Sequence, residues 1–449
     1  MTSAFTPAHA LARIIRLRQS SAVEALEEHL ARIARFNPAL NAVVTLDAER
    51  ARERARQADG ALERGDVWGP LHGVPFTLED AHATAGLRST WGGYPPLLHY
   101  SPSRDGAAAA HLKAAGAILI GKTNGPVIWK RSPFGLSRNP WDVNRSPGGT
   151  ASGPAVALAA GMTPLDVALD TTGSLLSPAH FCGVCGMRPT EGRASLDGVF
   201  FKDRVRKFRA MSVVGPMARS VEDLRLALEI IAGPDPRDPS VPPVPWRPSP
   251  PLPLEQLKIA WTPDFALSQT TGDVRLAIRS VAAELALRGA QVEERRPAFD
   301  LTEQARLAER LYTLMDRAFE RGGETPPASL EDYLRALGER DRAMARWDEF
   351  LTGCDAFLCP AGLTTAPLMA EVETGQTASN DAIAAAIPLL ISPISGCPAV
   401  VLPVGLDRDG LPIGAQIIGR RWGDEGLLAV AAVVEEITGG FRPPPGFAE

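Results

Sequence analysis

Apolar residues recur at helical spacing near the start of the chain. Residues 22–36 read AVEALEEHLARIARF, and the positions that share one face of a helix are Val23, Leu26, Leu30 and Ile33. Ser21 precedes this segment, and Glu24 follows three residues later, which is the spacing of a capping box. The pattern predicts an amphipathic helix that begins directly after Ser21.

Helical and strand-like patterns then alternate along the first half of the chain. AAAAHLKAAG (107–116) predicts a helix closed by Gly116, and GAILIGKTN (116–124) predicts a buried strand and a turn. Residues 155–161 look helical, and PLDVALDTTGS (164–174) predicts a strand that leaves the core at a polar turn. A helix, a glycine and an apolar strand in succession are typical of a layered α/β fold.

The second half of the chain opens with a proline-rich stretch, residues 234–253, which predicts an extended connector. Strand-like segments follow at 257–264, 290–297, 355–361 and 399–405, and helical segments at 273–289, 302–352 and 425–437. No internal repeat is visible. We interpret residues 1–449 as a single domain in which 254–350 forms a helical cap or subdomain, while the flanking sequence shares one sheet.

Composition excludes several classes of function. The 449 residues are 45% hydrophobic and 22% charged, which is ordinary for a protein with a large buried core. The formal net charge of -5 opposes nonspecific binding to nucleic acid, which needs a basic surface. No apolar run approaches the roughly 18–20 residues that span a bilayer, and the amino terminus lacks a signal peptide's apolar segment. We therefore expect a cytoplasmic protein without nucleic-acid or membrane partners.

Cysteine and histidine give little support for metal or redox chemistry. Cys182 and Cys185 form a C-x-x-C, but no second pair stands at metal-ligand spacing, so a structural role is favoured over a redox or zinc site. The seven histidines are scattered and form no H-x-x-x-H pattern. His180 could act as a base, although a packed histidine is the better interpretation. We expect no metal and no cofactor.

Three stretches carry the candidate chemistry: GPLHGVPFTLED (69–80), RNPWDVNRSPGGTASGP (138–154) and LDTTGSLLSPAHFCGVCGMRPT (169–190). Together they resemble the amidase signature family of serine hydrolases. The segments 116–124, 213–240 and 396–422 are similar to that family's other recurring blocks. The resemblance extends over nearly the whole chain. It implies one α/β domain, in which a central mixed β-sheet is covered by helices.

The resemblance also implies a catalytic constellation. The family cleaves amides with a nucleophilic serine, a second serine that relays the proton and a neutral lysine that receives it; these roles fall on Ser174, Thr150 and Glu79. Such a base is needed because an unassisted serine hydroxyl is a poor nucleophile. The backbone N–H groups that correspond to the family's oxyanion hole belong to Thr171, Thr172, Gly173 and Ser174.

Two of these positions depart from the family's pattern. Thr150 keeps the relay hydroxyl and adds a methyl group. Glu79 replaces a lysine by a carboxyl group, which is a weak base at its reference pKa of about 4.3 unless burial raises that value.

Further departures surround the expected substrate pocket, to which we assign Leu176, Ser152, Lys130 and Arg131. Leu176 stands where many members have an arginine. Lys130 or Arg131 could instead supply a cation to Glu79. The basic segment FFKDRVRKFR (200–209) would attract an acidic partner or form a solvated loop, and the latter is favoured.

Two functions follow from these observations. The first is an amidase-type C–N hydrolase or acyl transferase that works through a Ser174 acyl-enzyme on a small-molecule amide or acyl substrate. The alternative is a catalytically impaired protein of the same fold that binds a ligand or a protein partner. The altered triad makes a tRNA-linked glutaminase an unfavoured assignment, and the resemblance is compatible with a homodimer. Substrate identity is left open.

Overall fold

A computed structural model describes residues 3–125, 132–199, 210–249, 253–265, 270–317, 329–374 and 379–448. Its helices are α1 (Ala8–Arg16), α2 (Ala22–Leu40), α3 (Ala48–Glu63), α4 (Ala107–Ala114), α5 (Ser152–Ala159), α6 (Leu176–Cys182), α7 (Val221–Ile231), α8 (Gly272–Leu287), α9 (Leu301–Arg317), α10 (Leu330–Phe350), α11 (Met369–Thr374), α12 (Ser379–Ser395) and α13 (Asp424–Thr438). Its strands are β1 (Val43–Leu46), β2 (Pro75–Glu79), β3 (Ile118–Thr123), β4 (Leu165–Asp170), β5 (Cys185–Arg188), β6 (Val213–Ala218), β7 (Lys258–Trp261), β8 (Gln291–Glu294), β9 (Ala356–Pro360), β10 (Ala399–Leu406) and β11 (Pro412–Ile418).

The strands form one mixed sheet in the order β1-β3-β2-β4-β6-β5-β10-β11-β9-β7-β8. The pairs β2–β3, β2–β4, β7–β8 and β7–β9 are parallel, and the remaining pairs are antiparallel. This confirms the predicted α/β fold with a central mixed sheet. Because β7 and β8 belong to the sheet, residues 254–350 do not form a helical cap throughout: their first part completes one sheet edge, and only α9 and α10 are a helical layer.

Local sequence explains where the elements begin and end. The Ser21 hydroxyl accepts the N–H of Glu24, and the Glu24 carboxylate accepts the N–H of Ser21, so the predicted capping box starts α2. After α4, Gly116 has φ +92°, a conformation that favours glycine and turns the chain into β3. The predicted strand, helix and strand at 118–170 are confirmed as β3, α5 and β4.

The core lies on both faces of the sheet. β2 and β3 are buried at every residue, as expected for strands covered on two sides. Helix α5 is also buried at every residue, since it packs beneath the strands. A smaller apolar cluster joins α9 and α10 to Ile394 of α12. In the described ranges, no helix combines the length and apolar character that a bilayer crossing requires.

Adjacent parallel strands set the position of the candidate site. β2 and β4 run side by side, with Thr77 opposite Asp166 and Leu78 opposite Val167. β2 ends at Glu79 and β4 ends at Asp170, so both strands deliver polar residues to the same edge of the sheet. In open α/β sheets, the carboxyl ends of the strands are where ligands bind.

Candidate active site

Glu79 and Ser174 meet at the backbone of one residue. The Leu169 N–H donates to Glu79 Oε2 at 2.7 Å, and the Ser174 hydroxyl donates to the Leu169 carbonyl at 3.1 Å. In an extended strand, the N–H and C=O of one residue point to the same side. The carboxyl and hydroxyl groups of Glu79 and Ser174 therefore lie beside each other along the end of β4.

The serine stands in a turn that Asp170 holds. The Asp170 carboxylate accepts the N–H groups of Gly173 and Leu175, each at 2.8 Å. A fully buried ion pair fixes that carboxylate in turn, because Arg188 donates to it at 2.8 Å. Gly173 has φ +92°, which lets the backbone reverse directly before Ser174. Ser174 remains only half-buried, so a substrate can reach it.

The glycine-rich loop covers the serine. A Cβ built on Gly149 would lie 3.2 Å from the Ser174 Cα, and one on Gly148 would lie 2.6 Å from the Pro178 nitrogen. Only glycine allows such an approach of two backbones. Thr150 follows this contact and is half-buried. Its hydroxyl makes no hydrogen bond within the described part of the chain, so the structure brings residue 150 to the serine turn without joining it to Glu79.

The four backbone groups expected to bind an oxyanion differ in their partners. The Gly173 N–H is already donated to Asp170. The hydroxyl of Thr171 pairs with that of Ser212 at 3.0 Å. Thr172 and Ser174 are half-buried, and the N–H groups of Thr171, Thr172 and Ser174 make no hydrogen bond within the described residues. These three N–H groups are therefore the donors that remain for a ligand.

Burial dominates the chemistry of Glu79. The residue is 2% exposed, and this desolvation raises the pKa of its carboxyl group to about 8. The hydrogen bond from Leu169 and the charge of Lys122 lower the pKa, while Asp166 and Asp80 raise it, but burial outweighs them. A Cβ on Gly125 would stand 2.5 Å from Glu79 Oε1, so the carboxyl group fills the space beside that glycine.

A buried set of charges behind Glu79 escaped the sequence analysis. Lys122 on β3 donates to the carbonyl of His82 and to the Thr84 hydroxyl, and burial lowers its pKa to about 8. Asp166 on β4 accepts hydroxyl groups from β2 and β3, and burial raises its pKa to about 7. The available signal was charged residues inside strands that are otherwise apolar, GAILIGKTN and PLDVALD.

Asp80 has a structural role, as its neighbouring loop shows. Its carboxylate accepts the N–H groups of Thr90 and Gly92 at 3.1 Å and also accepts the Thr90 hydroxyl. It thereby closes the loop that follows β2. The expectation that Asp80 is structural agrees with these bonds.

The residues expected in the substrate pocket are not all accessible. Leu176 is 0% exposed and packs in the core at the start of α6, and Ser152 is 3% exposed at the start of α5. As they stand, neither presents an open surface to a ligand. Lys130, Arg131 and the basic segment 200–209 lie outside the described residues.

The cysteines and His180 are packed in the interior. All five cysteines are free and buried, and desolvation raises the pKa of Cys185 well above its usual value. This is the opposite of a reactive thiol. His180 contacts the Thr364 carbonyl at 2.9 Å and accepts the Gly414 N–H at 2.7 Å, which confirms a packed histidine. Across the described ranges, no group of three or more His, Cys, Asp or Glu side chains has the arrangement of a metal site.

Comparisons with known proteins agree with this geometry. The family model described as Amidase matches residues 24–315 and 295–428. One of the subunits of glutamyl-tRNA(Gln) amidotransferase from Picosynechococcus sp. is 30% identical, with 95% of this chain and 97% of the relative covered. The solved structure of 6-aminohexanoate cyclic dimer hydrolase is 25% identical, with a TM-score of 0.82 over 100% and 99% of the two chains. Fatty acid amide hydrolase, at 23% identity, shares the fold with a TM-score of 0.86 over 97% and 85%.

Proposed function

Because this chain belongs to the amidase family, we propose that it cleaves amide C–N bonds through an acyl-enzyme on Ser174, with Glu79 as the buried base. The single observation that carries this assignment is the shared contact at Leu169, where the carboxyl and hydroxyl groups of Glu79 and Ser174 bind one residue's backbone. The family assignment favours an enzyme over a protein that has lost catalysis. The individual roles of Ser174, Thr150 and Glu79 are the proposal.

A buried glutamate can perform the task of a buried lysine. Burial disfavours the charged form of either group, so it lowers the pKa of an amine and raises the pKa of a carboxylic acid. The Glu79 carboxyl, with its pKa raised to about 8, changes protonation state close to neutral pH. A general base works best when its pKa lies near the operating pH. Replacing lysine by glutamate therefore changes the charges of the two states while retaining a proton acceptor with a suitable pKa.

The proposed proton path balances in both half-reactions. Ser174 Oγ attacks the amide carbonyl while its proton passes to Thr150 Oγ1, and the Thr150 proton passes to the Glu79 carboxylate. The C–N bond breaks, the leaving amine takes the proton back along the same path, and an ester remains on Ser174. Water or another nucleophile then attacks that ester and loses its proton to Glu79. The backbone N–H groups of Thr171, Thr172 and Ser174 stabilise the oxyanion.

The proposed substrate is a small amide. The relatives support this class: one is named as part of an amidotransferase, and another is named as a hydrolase of a cyclic dimer of 6-aminohexanoate. Leu176 supplies no charge to the site, so we expect neutral amides to be preferred over substrates with a carboxylate beside the scissile bond. Cytoplasmic residence and a homodimer stay predictions.

Labelling by a fluorophosphonate probe across pH 6–9.5 tests the assignment. We expect the wild-type protein to be labelled at a rate that rises through pH 8, as Glu79 loses its proton. Ser174→Ala should abolish labelling, and Glu79→Gln should slow it by about 100-fold or more and remove the rise with pH, since general bases contribute about 10²–10⁴ in rate. Glu349→Gln, at an exposed residue of α10, is the matched control.

Two outcomes separate the alternatives. If wild type is not labelled at any pH while circular dichroism shows it to be folded, Ser174 is not an activated nucleophile and the impaired-enzyme alternative gains. If labelling is abolished by Ser174→Ala but unaffected by Glu79→Gln, the nucleophile is right and the base is wrong.

A further inference from the structure

An arginine-lined groove runs between α9 and α10. It encloses about 230 Å³, and its charged lining consists of Arg306, Arg310, Arg342, Arg346, Glu303 and Glu339. Only one ion pair crosses it among these described groups, from Arg310 to Glu339 at 3.1 Å. Within the described residues, the guanidinium groups of Arg306, Arg342 and Arg346 form no ion pair and no hydrogen bond. Four cations against two carboxylates give the groove a positive balance.

The spacing of the arginines works against the helices that carry them. Arg306 and Arg310 are four residues apart on α9, and Arg342 and Arg346 are four residues apart on α10. Like charges at this spacing repel each other on a helix surface. Each helix thus carries one repulsive pair, and the two pairs line the same groove. A bound anion would convert both repulsions into attraction.

An unsatisfied buried donor adjoins these cations. Gln304 lines the groove and is 4% exposed. Its Oε1 accepts the indole N–H of Trp347 at 2.8 Å. An indole nitrogen is a donor only, so this bond fixes the amide orientation, with its oxygen towards Trp347. Gln304 Nε2 is then left with no partner in the described structure, which is costly for a buried polar group.

We propose that the groove between α9 and α10 is a binding site for a small, multiply charged oxyanion of the phosphate or carboxylate class. Guanidinium groups match both classes because their planar forks donate two parallel hydrogen bonds to a pair of oxygens. Gln304 adds a neutral donor at the wall. The ligand is small because the enclosed space is limited and bounded by two packed helices. The carboxylates of Glu303 and Glu339 exclude a ligand that would cover the whole surface with negative charge.

This site is distinct from the serine centre. Its lining comes from α9 and α10, whereas Glu79 and Ser174 stand at the ends of β2 and β4. Helix α12 lies between the two regions: it packs on α9, and its Leu389 touches Gly173 of the serine turn. The proposal does not depend on the catalytic roles assigned above, because it concerns binding alone.

Isothermal titration of the full chain with pyrophosphate, and separately with citrate, tests the site at constant ionic strength. We expect saturable one-to-one binding of at least one of the two anions. The double variant Arg342→Gln/Arg346→Gln should weaken it by at least about tenfold, because each charge-assisted hydrogen bond contributes substantially. The control is Arg335→Gln/Arg288→Gln, which removes the same charge from two exposed arginines outside the groove and should change the dissociation constant less than twofold.

The outcomes are decisive in both directions. Preference for pyrophosphate or for citrate assigns the phosphate or the carboxylate source within the proposed class. Absence of saturable binding with both anions overturns the proposal, as does equal weakening in the control double variant, because net charge rather than the groove would then explain the effect. Gln304→Glu provides a second check. It keeps an oxygen for Trp347 and turns the free donor into an acceptor, so binding should be lost while thermal unfolding shows a folded protein.

Discussion

Replacing Glu79 by glutamine should change how stability depends on pH. The carboxyl of an unfolded glutamate ionises near its ordinary value of 4.5, whereas in the folded protein burial holds the Glu79 proton until about pH 8. Between these values, the folded state binds more protons than the unfolded state, so wild-type stability falls as the pH rises. Glutamine occupies nearly the same volume and does not titrate. The Glu79→Gln variant lacks this loss.

The magnitude follows from the two pKa values. Each unit of pKa difference corresponds to about 1.4 kcal/mol of free energy of unfolding. Integrated between pH 5 and pH 8, the stability of Glu79→Gln should rise relative to wild type by about 3.5 kcal/mol. Any constant cost of placing the glutamine amide beside Gly125 cancels, because only the change with pH is compared. For a chain of 449 residues, this corresponds to a relative gain in Tm of about 4 °C.

Differential scanning calorimetry of both proteins from pH 5 to pH 8.5 measures this difference. Glu349→Gln serves as the control, since its carboxyl group is exposed, and its Tm difference from wild type should be flat with pH. A flat difference for Glu79→Gln as well would refute the reasoning, because Glu79 would then titrate alike in the folded and unfolded states. A difference of the opposite sign would mean that the ionised carboxylate is stabilised by the charge of Lys122 beyond the cost of burial.

Further expectations concern the residues that support Glu79 and Ser174. Gly125→Ala should lower amidase or labelling activity at least about tenfold, because its Cβ would stand 2.5 Å from Glu79 Oε1; Gly338→Ala, on α10 with no neighbouring atom within 4 Å, is the control and should stabilise the helix by about 0.5–1 kcal/mol. Activity equal to wild type in Gly125→Ala would show that the carboxyl position is not critical. Arg188→Met should destabilise the protein by about 3–5 kcal/mol in urea unfolding, since it leaves the Asp170 carboxylate buried without its cation. A loss below 1 kcal/mol would show that the N–H groups of Gly173 and Leu175 suffice to hold that charge.

Local sequence patterns predicted most elements of the fold. The Ser21–Glu24 capping box, the glycine stop at 116 and the apolar runs of β3, β4, β9 and β10 each depend on neighbours a few residues apart, so they are legible without tertiary structure. The place of residues 254–350 is not legible in this way. Helical periodicity dominates 302–352 and favours a cap for the whole segment, whereas the short strands β7 and β8 join the sheet through β9, which is distant in sequence.

The sequence by itself determined the family, the mixed α/β architecture and the identities of the residues at positions 79, 150 and 174, because motifs and periodicity are local properties of the chain. Tertiary structure decided what those residues can do. Only the alignment of β2 beside β4 brings Glu79 and Ser174 to the backbone of Leu169. Only burial makes the Glu79 carboxyl hold its proton until about pH 8. The energy of a charge depends on the surrounding dielectric and on groups that fold beside it from elsewhere in the chain.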